Sequence, residues 1–351
     1  MTPSTRFLSP SEAARRLGVS AKALRLYEQR GLLRPARNAA GWRSYGPGEM
    51  ARGADIVALR ALGLSLAQVA CVLNGDAEGL APALAAHQVL LEGRVRELRV
   101  SIDKVRALRA DLATGQAPSV GELVRVLAPA SALHVEFDLP WPWGGERFVL
   151  RDIRPLNYIV GPLGSGKTRL ALRLAETLPG AVFLGLDRLV QNASAAARLQ
   201  ADPALEQRVD RALAWLAEDG ATACDALVCL LAALEAEAPG ALVVDMVEQG
   251  LDAATQQALV AHLRRRAADS RPLFLLTRSC VVLDLAAVGA NESVILCPAN
   301  HSPPTRVVPS VGAPGYEAVA TCLASPEVRA RTQGVIAWRP CGIAPRPAAV
   351  R

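Results

Sequence analysis

Lysine and histidine are scarce in this chain, whose 351 residues include four histidines and only three lysines, at positions 22, 104 and 167. The 39 basic residues are therefore almost all arginine, an abundance that we attribute to genome composition rather than to function. Seven cysteines occur, but none forms a CxxC pair or lies beside a histidine cluster. This usage favours reduced thiols over a disulfide framework, and no metal-sensor site is evident.

Uncharged apolar runs long enough to cross a bilayer are also missing, as is the pattern of a signal peptide. We therefore expect a soluble cytoplasmic protein without a membrane partner. A content of 51% hydrophobic and 21% charged residues is typical of globular proteins. Because 351 residues exceed what one core usually organises, two or three domains are expected.

Positive charge is concentrated at one end of the chain. Residues 1–75 contain 11 Lys and Arg against 4 Asp and Glu, whereas the rest of the chain contains 28 against 29. This asymmetry predicts a polyanionic partner for the N-terminal segment, because neutralisation of phosphates by basic side chains drives nucleic-acid binding. The alternative is a basic face that serves only solubility.

The stretch 9–33 predicts two short helices joined by a tight turn. Ser9, three residues before a glutamate, is a capping box for the first helix, which ends at Gly18. Ser20 caps the second helix, and Gly31 closes it in the left-handed conformation that glycine permits. Apolar and basic positions alternate so that each helix has one face of each kind. The second helix would fit the major groove of DNA.

The next segment, RPARNAAGWRSYGPGEM, predicts a protruding hairpin with a turn at Gly41. Cations and aromatic side chains lie on it, namely Arg37, Trp42, Arg43 and Tyr45. A third helix at about 47–62 and a fourth at about 65–73 complete a winged helix-turn-helix unit.

These segments resemble the MerR family of bacterial transcription regulators, from LRLYEQRGLLRPAR through GWRSY to LRALGLSLAQVACVL. Two small departures are Trp42, where tyrosine is commoner in the family, and Leu26, where a second aromatic residue often stands. The resemblance implies a nucleoid-associated protein that binds double-stranded promoter DNA as a dimer, acts on RNA polymerase, and bends and twists promoters with over-long spacers.

The same resemblance implies DNA contacts from the two helices and the wing. We assign these contacts to Arg15, Lys22, Arg25, Tyr27, Arg37, Arg43 and Tyr45. The alternative for the aromatic residues is a purely structural place in the core of a small domain.

A seven-residue repeat of apolar positions follows, at Leu84, Leu91, Leu98, Val105 and Leu112. Such a repeat predicts a coiled coil, and we expect a homodimer through residues 84–112. The resemblance supports this, because MerR proteins dimerise through an antiparallel helix at this place. The alternative is an amphipathic helix that packs on its own chain.

Further along, a short apolar strand at 156–160 leads into GPLGSGKT and a helix. This is the P-loop pattern, in which a curled glycine-rich backbone and a helix N-terminus surround phosphate oxygens. Lys167 would reach the β- and γ-phosphates, and the Thr168 hydroxyl would coordinate Mg²⁺. The pattern predicts binding of ATP, or another nucleoside triphosphate, with Mg²⁺.

A second nucleotide motif is the strand ALVVD, whose terminal Asp245 would lie at the Mg²⁺ beside Thr168. Order and spacing over roughly 132–300 resemble ATPases of the ABC, SMC and RecF type, which implies a γ-phosphate contact from Arg278, at the place of their switch histidine. The predicted nucleotide-binding residues are Gly161, Gly164, Ser165, Gly166, Lys167, Thr168, Asp245 and Arg278.

Strands that alternate with helices predict a doubly wound sheet with nucleotide at the carboxyl ends of the strands. The predicted fold class is therefore multidomain α + α/β. Its predicted parts are a winged helix-turn-helix at 1–76, a coiled-coil dimerisation helix at 77–115, a linker at 116–131, a P-loop α/β domain at 132–310 and an extension at 311–351.

Departures from the ATPase pattern concern the hydrolytic step. Met246 stands where a glutamate would orient the attacking water, and loss of a general base costs about 10²–10⁴ in rate. Thr222 and Ala223 replace the serine and glycine of the signature motif. We therefore predict a nucleotide sensor that hydrolyses slowly or not at all. The alternatives are an active ATPase with Glu248 as its base, and a P-loop that is only structural.

Overall fold

The computed structural model describes residues 7–37, 41–76, 80–113, 134–189, 192–237, 240–266 and 270–324. The predicted linker at 116–131 and most of the predicted extension lie outside the described residues. No helix of the described part is long and apolar enough to cross a membrane.

The N-terminal unit (residues 7–76) has the predicted helix-turn-helix and hairpin. Its elements are α1 Pro10–Leu17, α2 Ala21–Gln29, β1 Ala36–Arg37, β2 Arg43–Ser44, α3 Pro47–Ala61 and α4 Leu66–Leu73. The side chain of Ser9 accepts the Glu12 amide and the Glu12 carboxylate accepts the Ser9 amide, so the capping box is confirmed. Gly18 ends α1 with φ 67°, and Ser20 caps α2 as predicted. Apolar side chains of all four helices form the core of this unit.

A single helix of 34 residues, α5 (Leu80–Ala113), covers the predicted dimerisation segment. The apolar residues of the heptad repeat are exposed on it; Leu98 is 63% exposed and Leu112 is 53% exposed. The helix itself is confirmed, while its pairing with a second copy stays a prediction.

The C-terminal unit (residues 134–324) combines a mixed sheet with helices on both faces. Its strands are β3 Val135–Asp138, β4 Arg147–Leu150, β5 Leu156–Val160, β6 Val182–Leu184, β7 Leu242–Val244, β8 Leu273–Leu276, β9 Glu292–Leu296 and β10 Thr305–Val307. Its helices are α6 Lys167–Thr177, α7 Asn192–Ala201, α8 Pro203–Glu218, α9 Asp225–Leu234, α10 Ala253–Arg264 and α11 Tyr316–Cys322.

The main sheet has the order β10-β9-β5-β8-β7-β6, and only β10 runs antiparallel to its neighbour within it. Its central strands β5, β8 and β7 are buried on both sides because each face of the sheet carries a core. One core packs α6 and the separate β3–β4 hairpin against alternate strand residues such as Ile159 and Phe274. The other packs α8, α9 and α10 against the residues between them, such as Tyr158 and Leu275.

The segment around residues 301–319 belongs to the packed C-terminal unit, although it crosses the predicted end of the P-loop domain at 310. It contains β10 and the start of α11, and Val319 is fully buried in the core below the sheet. Pairing with β9 gives β10 its hydrogen bonds. Packing of this unit therefore continues past the predicted boundary at 310.

Candidate nucleotide and DNA sites

Parallel pairing brings the predicted nucleotide residues to one edge of the main sheet. β8 pairs with β5 on one side and with β7 on the other. The carboxyl ends of parallel strands meet at the same edge. The loop 161–166 after β5, Asp245 after β7 and Arg278 after β8 are therefore neighbours.

The loop 161–166 depends on glycine at specific points. Gly164 and Gly166 have φ of 80° and 90°, which is the left-handed region. A Cβ on Gly161 would lie 2.4 Å from the carbonyl oxygen of Cys297, and one on Gly166 would lie 2.5 Å from the Trp143 ring. No side chain caps the first turn of α6, which begins directly after the loop. A helix N-terminus of this kind is a ready anion site.

Lys167 is a buried cation at the start of α6, with 9% of its surface exposed. Its Nζ donates hydrogen bonds to the carbonyl oxygens of Gly161 (2.8 Å) and Pro162 (2.7 Å). Burial lowers the pKa of Lys167, and the nearby charge of Arg278 lowers it further. An anion between the two cations would oppose both effects, so this position favours a negatively charged ligand.

Thr168 and Asp245 form a pair of oxygen ligands across the site. The Thr168 hydroxyl donates to Asp245 Oδ2 at 2.9 Å, and Asp245 is 4% exposed. Burial raises the pKa of Asp245, while the hydrogen bond from Thr168 and the charge of Lys167 act in the opposite direction. Carboxylate and hydroxyl oxygens suit Mg²⁺, which takes few protein ligands together with phosphate oxygens and water.

A larger protein cage for a metal ion is not found. Among the described residues, no group of three or more His, Cys, Asp or Glu side chains converges on a point. A cation at Thr168 and Asp245 would therefore share its coordination with the ligand.

Arg188 is a site residue that sequence reasoning missed. It lies in a 3-10 turn, Leu186–Leu189, after β6 and is 5% exposed. Its guanidinium donates to the carbonyl oxygens of Asp245 (2.6 Å) and Met246 (2.7 Å). Burial lowers the pKa of Arg188, and the charge of Asp245 opposes this. Arg188 thus fixes the backbone on which Asp245 is held, and no motif around it in the sequence indicates that role.

Glu248 is buried, with 1% of its surface exposed, and is an anchor rather than an open side chain. Its Oε1 accepts a hydrogen bond from the Arg278 amide at 2.9 Å. Between it and Asp245, Met246 has φ 44° in the left-handed region, so the chain turns sharply after β7. Glu248 therefore holds the segment that follows β8, and its role as a base stays an untested alternative.

Trp143 and His301 also border the glycine loop, and neither belongs to the predicted motifs. The Trp143 ring packs on Gly166, and its Nε1 donates to the Ser302 carbonyl at 3.1 Å. His301 Nε2 lies 3.1 Å from the Gly164 carbonyl. Ser165 is 1% exposed, and its Oγ is buried without a hydrogen-bond partner among the described residues.

The predicted DNA-binding cations are largely on the surface. Arg15 and Arg25 are exposed on α1 and α2, and Arg37 is exposed on the hairpin, where it donates to the Gly41 carbonyl at 3.0 Å. Arg43 is half-buried and pairs with Glu28 at 2.6 Å.

Tyr27 and Tyr45 lie in the core of the N-terminal unit, which corrects the expectation that they contact DNA. Tyr27 is 6% exposed and Tyr45 is fully buried, with its hydroxyl donating to the Glu28 carboxylate. Burial raises the pKa of both phenols, and for Tyr45 the hydrogen bond to Glu28 adds to the effect. Each aromatic ring buries a large apolar area, so these side chains contribute to the core of this small domain.

A capped pair of short helices followed by a two-stranded hairpin places the N-terminal unit in the winged helix-turn-helix class. Residues 8–76 match the profile described as "MerR HTH family regulatory protein". The N-terminal unit is therefore a helix-turn-helix domain of the MerR family.

One curated relative is a "Probable heavy metal-dependent transcriptional regulator" of Haemophilus influenzae. It is 44% identical over 64 residues, which cover 18% of this chain and 50% of the relative. The chain thus spans half the length of that relative.

Solved structures with similarity fall into two groups. HiNmlR, "a MerR family regulator lacking the sensor domain, bound to promoter DNA", is 21% identical with a TM-score of 0.25 and covers 30% of this chain and 94% of its own. SkgA from Caulobacter crescentus is 30% identical with a TM-score of 0.23, and the match covers 34% of this chain and 87% of SkgA. A bacterial Atm1-family ABC exporter with ATP bound is 13% identical with a TM-score of 0.32 and covers 82% and 66%.

Proposed function

We propose that this protein is a dimeric DNA-binding transcription regulator whose C-terminal unit binds ATP with Mg²⁺ and hydrolyses it slowly or not at all. The MerR-type domain carries the DNA half of the proposal. The nucleotide half rests on the meeting of the glycine loop, Lys167 and the Thr168–Asp245 pair at one sheet edge.

ATP would place its phosphates on the loop 161–166 and at the N-terminus of α6. Lys167 would then exchange two carbonyl partners for phosphate oxygens, which relieves a buried cation that now has only neutral acceptors at hydrogen-bonding distance. Arg278 would add a second cation at the γ-phosphate. Mg²⁺ bound at Thr168 and Asp245 would neutralise charge between the phosphates.

Slow hydrolysis follows from the segment after β7. Met246 cannot accept a proton from water, and the next acid, Glu248, is buried and bonded to the Arg278 amide. An acid held in this way has lost the freedom to reach a water beside the γ-phosphate. Absence of a general base lowers the hydrolysis rate by a factor of about 10²–10⁴, so the nucleotide-bound state would be long-lived and suited to signalling.

Dimerisation would use α5, whose exposed apolar residues recur every seven positions. A second copy of the same helix would cover them, and a two-fold dimer would match a two-fold DNA site. By the MerR resemblance, RNA polymerase at the bound promoter is the further partner. Nucleotide would shift the dimer between DNA-bound states only to the extent that it binds those states unequally.

Nucleotide binding is tested with fluorescent ATP and Mg²⁺ on the full chain. We expect saturable binding, its loss in Lys167→Ala, and normal binding in Arg211→Ala, which removes an exposed cation from α8. Phosphate release should be negligible. Rapid turnover that disappears in Glu248→Gln would refute the sensor and favour the ATPase alternative.

DNA binding is tested by gel shift on genomic fragments selected with the purified protein. Arg25→Ala and Arg43→Ala should both weaken the complex, because each removes a cation from the proposed recognition surface. If neither variant changes the shift, this surface is wrongly assigned.

A further inference from the structure

The two units are joined by a buried ionic contact at Asp219, the C-cap of α8. Asp219 is 5% exposed, and its carboxylate accepts two hydrogen bonds from Arg60 of α3, at 3.0 and 2.9 Å. It also accepts the amide of Leu66 at the start of α4, at 2.6 Å. Arg30, just after α2, donates to the Asp219 carbonyl at 2.9 Å. One residue of the C-terminal unit thus holds three elements of the MerR-type domain.

Residues around Asp219 extend this contact. Trp215 Nε1 donates to the Gly63 carbonyl at 3.2 Å, and the guanidinium carbons of Arg60 and Arg265 lie 5.3 and 4.3 Å from the centre of the Trp215 ring. A Cβ on Gly220 would overlap the Arg30 guanidinium, at 1.6 Å. The Gly220 main chain therefore lies directly against the Arg30 guanidinium in this arrangement.

The helix α2 itself faces the C-terminal unit. Lys22 Nζ donates to the carbonyl oxygen of Cys280 at 2.6 Å. A cleft of about 800 Å³ separates α2 from α10, with Arg25 and Gln29 on the first wall and Gln257 and Ala261 on the second. The side chains that line it on α2 include two of the proposed DNA-contacting cations.

DNA cannot occupy the same face of α2 while these contacts persist. The major groove is about 12 Å wide and takes in a whole helix, with phosphate backbone on both sides. A helix whose Lys22 is already in hydrogen-bonding distance of another part of the protein leaves no room there for a duplex. The contact with Cys280 also uses the ammonium group that would neutralise a phosphate.

We propose that the face of the C-terminal unit formed by Trp215, Asp219, Gly220 and Cys280 is a docking surface for the DNA-reading part of its own chain. Docking and DNA binding exclude each other, so the arrangement described here is the form without DNA. This inference rests on the proposed DNA-binding function of α2. The apparent DNA affinity is the intrinsic affinity multiplied by the undocked fraction.

Asp219→Asn tests the docking surface, because it removes the charge that Arg60 pairs with and keeps the shape. Asp210→Asn, at an exposed position of α8, is the matched control. Binding of a short fluorescent duplex of mixed sequence is measured at low salt by anisotropy, where non-specific phosphate contacts suffice. We expect Asp219→Asn to bind about tenfold more tightly than the wild type and Asp210→Asn to match the wild type.

A second measurement needs no variant and covers the case in which Asp219→Asn does not fold. Hydrogen exchange of the peptide that contains the Leu66 amide is followed in wild-type protein with and without saturating duplex. Docking protects this amide through Asp219, so DNA should accelerate its exchange. Unchanged protection, or equal duplex affinity in folded Asp219→Asn and wild type, overturns the docking inference alone. Failure of every protein to bind the duplex overturns the proposed function and this inference together.

Discussion

Gly161 and Gly164 lie in the same loop, but alanine should be costly at them for different reasons. Gly164 has φ 80° and open space around its Cα. Gly164→Ala should therefore cost only the strain of a left-handed alanine, about 1 kcal/mol. Gly161 does not have a positive φ, but its Cβ would lie 2.4 Å from the Cys297 carbonyl and 2.6 Å from Ser165 Oγ.

Relief of the Gly161→Ala overlap requires the ends of β5 and β9 to separate by about 1 Å, since ordinary contact begins near 3.4 Å. The Cys297 amide donates to the Val160 carbonyl at 2.8 Å in the same place, and that hydrogen bond would weaken. A lost hydrogen bond contributes about 1 kcal/mol and overpacking about 1–3 kcal/mol. We expect Gly161→Ala to lower the free energy of unfolding by about 2–4 kcal/mol.

Urea unfolding followed by tryptophan fluorescence measures both variants, and ATP binding is recorded on the same samples. Gly161→Ala should also weaken ATP binding, because the Gly161 carbonyl positions Lys167. Equal destabilisation by the two substitutions, or a larger effect at Gly164, would show that the close approach to Cys297 does not limit this position.

Further predictions concern hydrolysis and assembly. Met246→Glu should raise Mg·ATP turnover, measured as phosphate release, at least about tenfold, because it restores a general base. Met246→Gln has nearly the same shape but supplies no base, and an equal rise in this variant would disprove the explanation. Leu98→Asp should halve the mass measured by light scattering, since it places a charge in the proposed α5 seam, whereas Arg99→Asp at an exposed position beside it should leave the mass unchanged.

Local signals predicted much of the fold because they act over a few residues. The capping box at Ser9, the glycine after α1 and the glycine-rich loop after β5 each specify a turn or helix start by themselves. Long-range pairing was harder to predict. β10 is stabilised by pairing with β9, and α11 by packing of Val319 into the core of the C-terminal unit. Their own residues do not indicate these long-range contacts.

The arrangement of the candidate nucleotide site could be predicted where a motif fixes the backbone, but not where contacts between distant segments do. Lys167, Thr168 and Asp245 meet as expected. Arg188, Trp143 and the buried anchoring of Glu248 arise from contacts between segments far apart in sequence. Tyr45 shows how a local pattern can mislead: it is next to basic residues in the sequence, but its side chain is buried in the core.

Lys22 takes part in both the proposed docked form and the proposed DNA-bound form, so a substitution at this position affects both. In the docked form Lys22 donates to the main-chain oxygen of Cys280. Because every residue type has this oxygen, a substitution at position 280 leaves the contact in place. A change at Lys22 should lower the occupancy of the proposed docked form and of the proposed DNA-bound form together. Mutations that favour the proposed DNA-bound form should therefore occur at positions that act only in docking, such as Asp219, and should be rare at Lys22 and at Cys280.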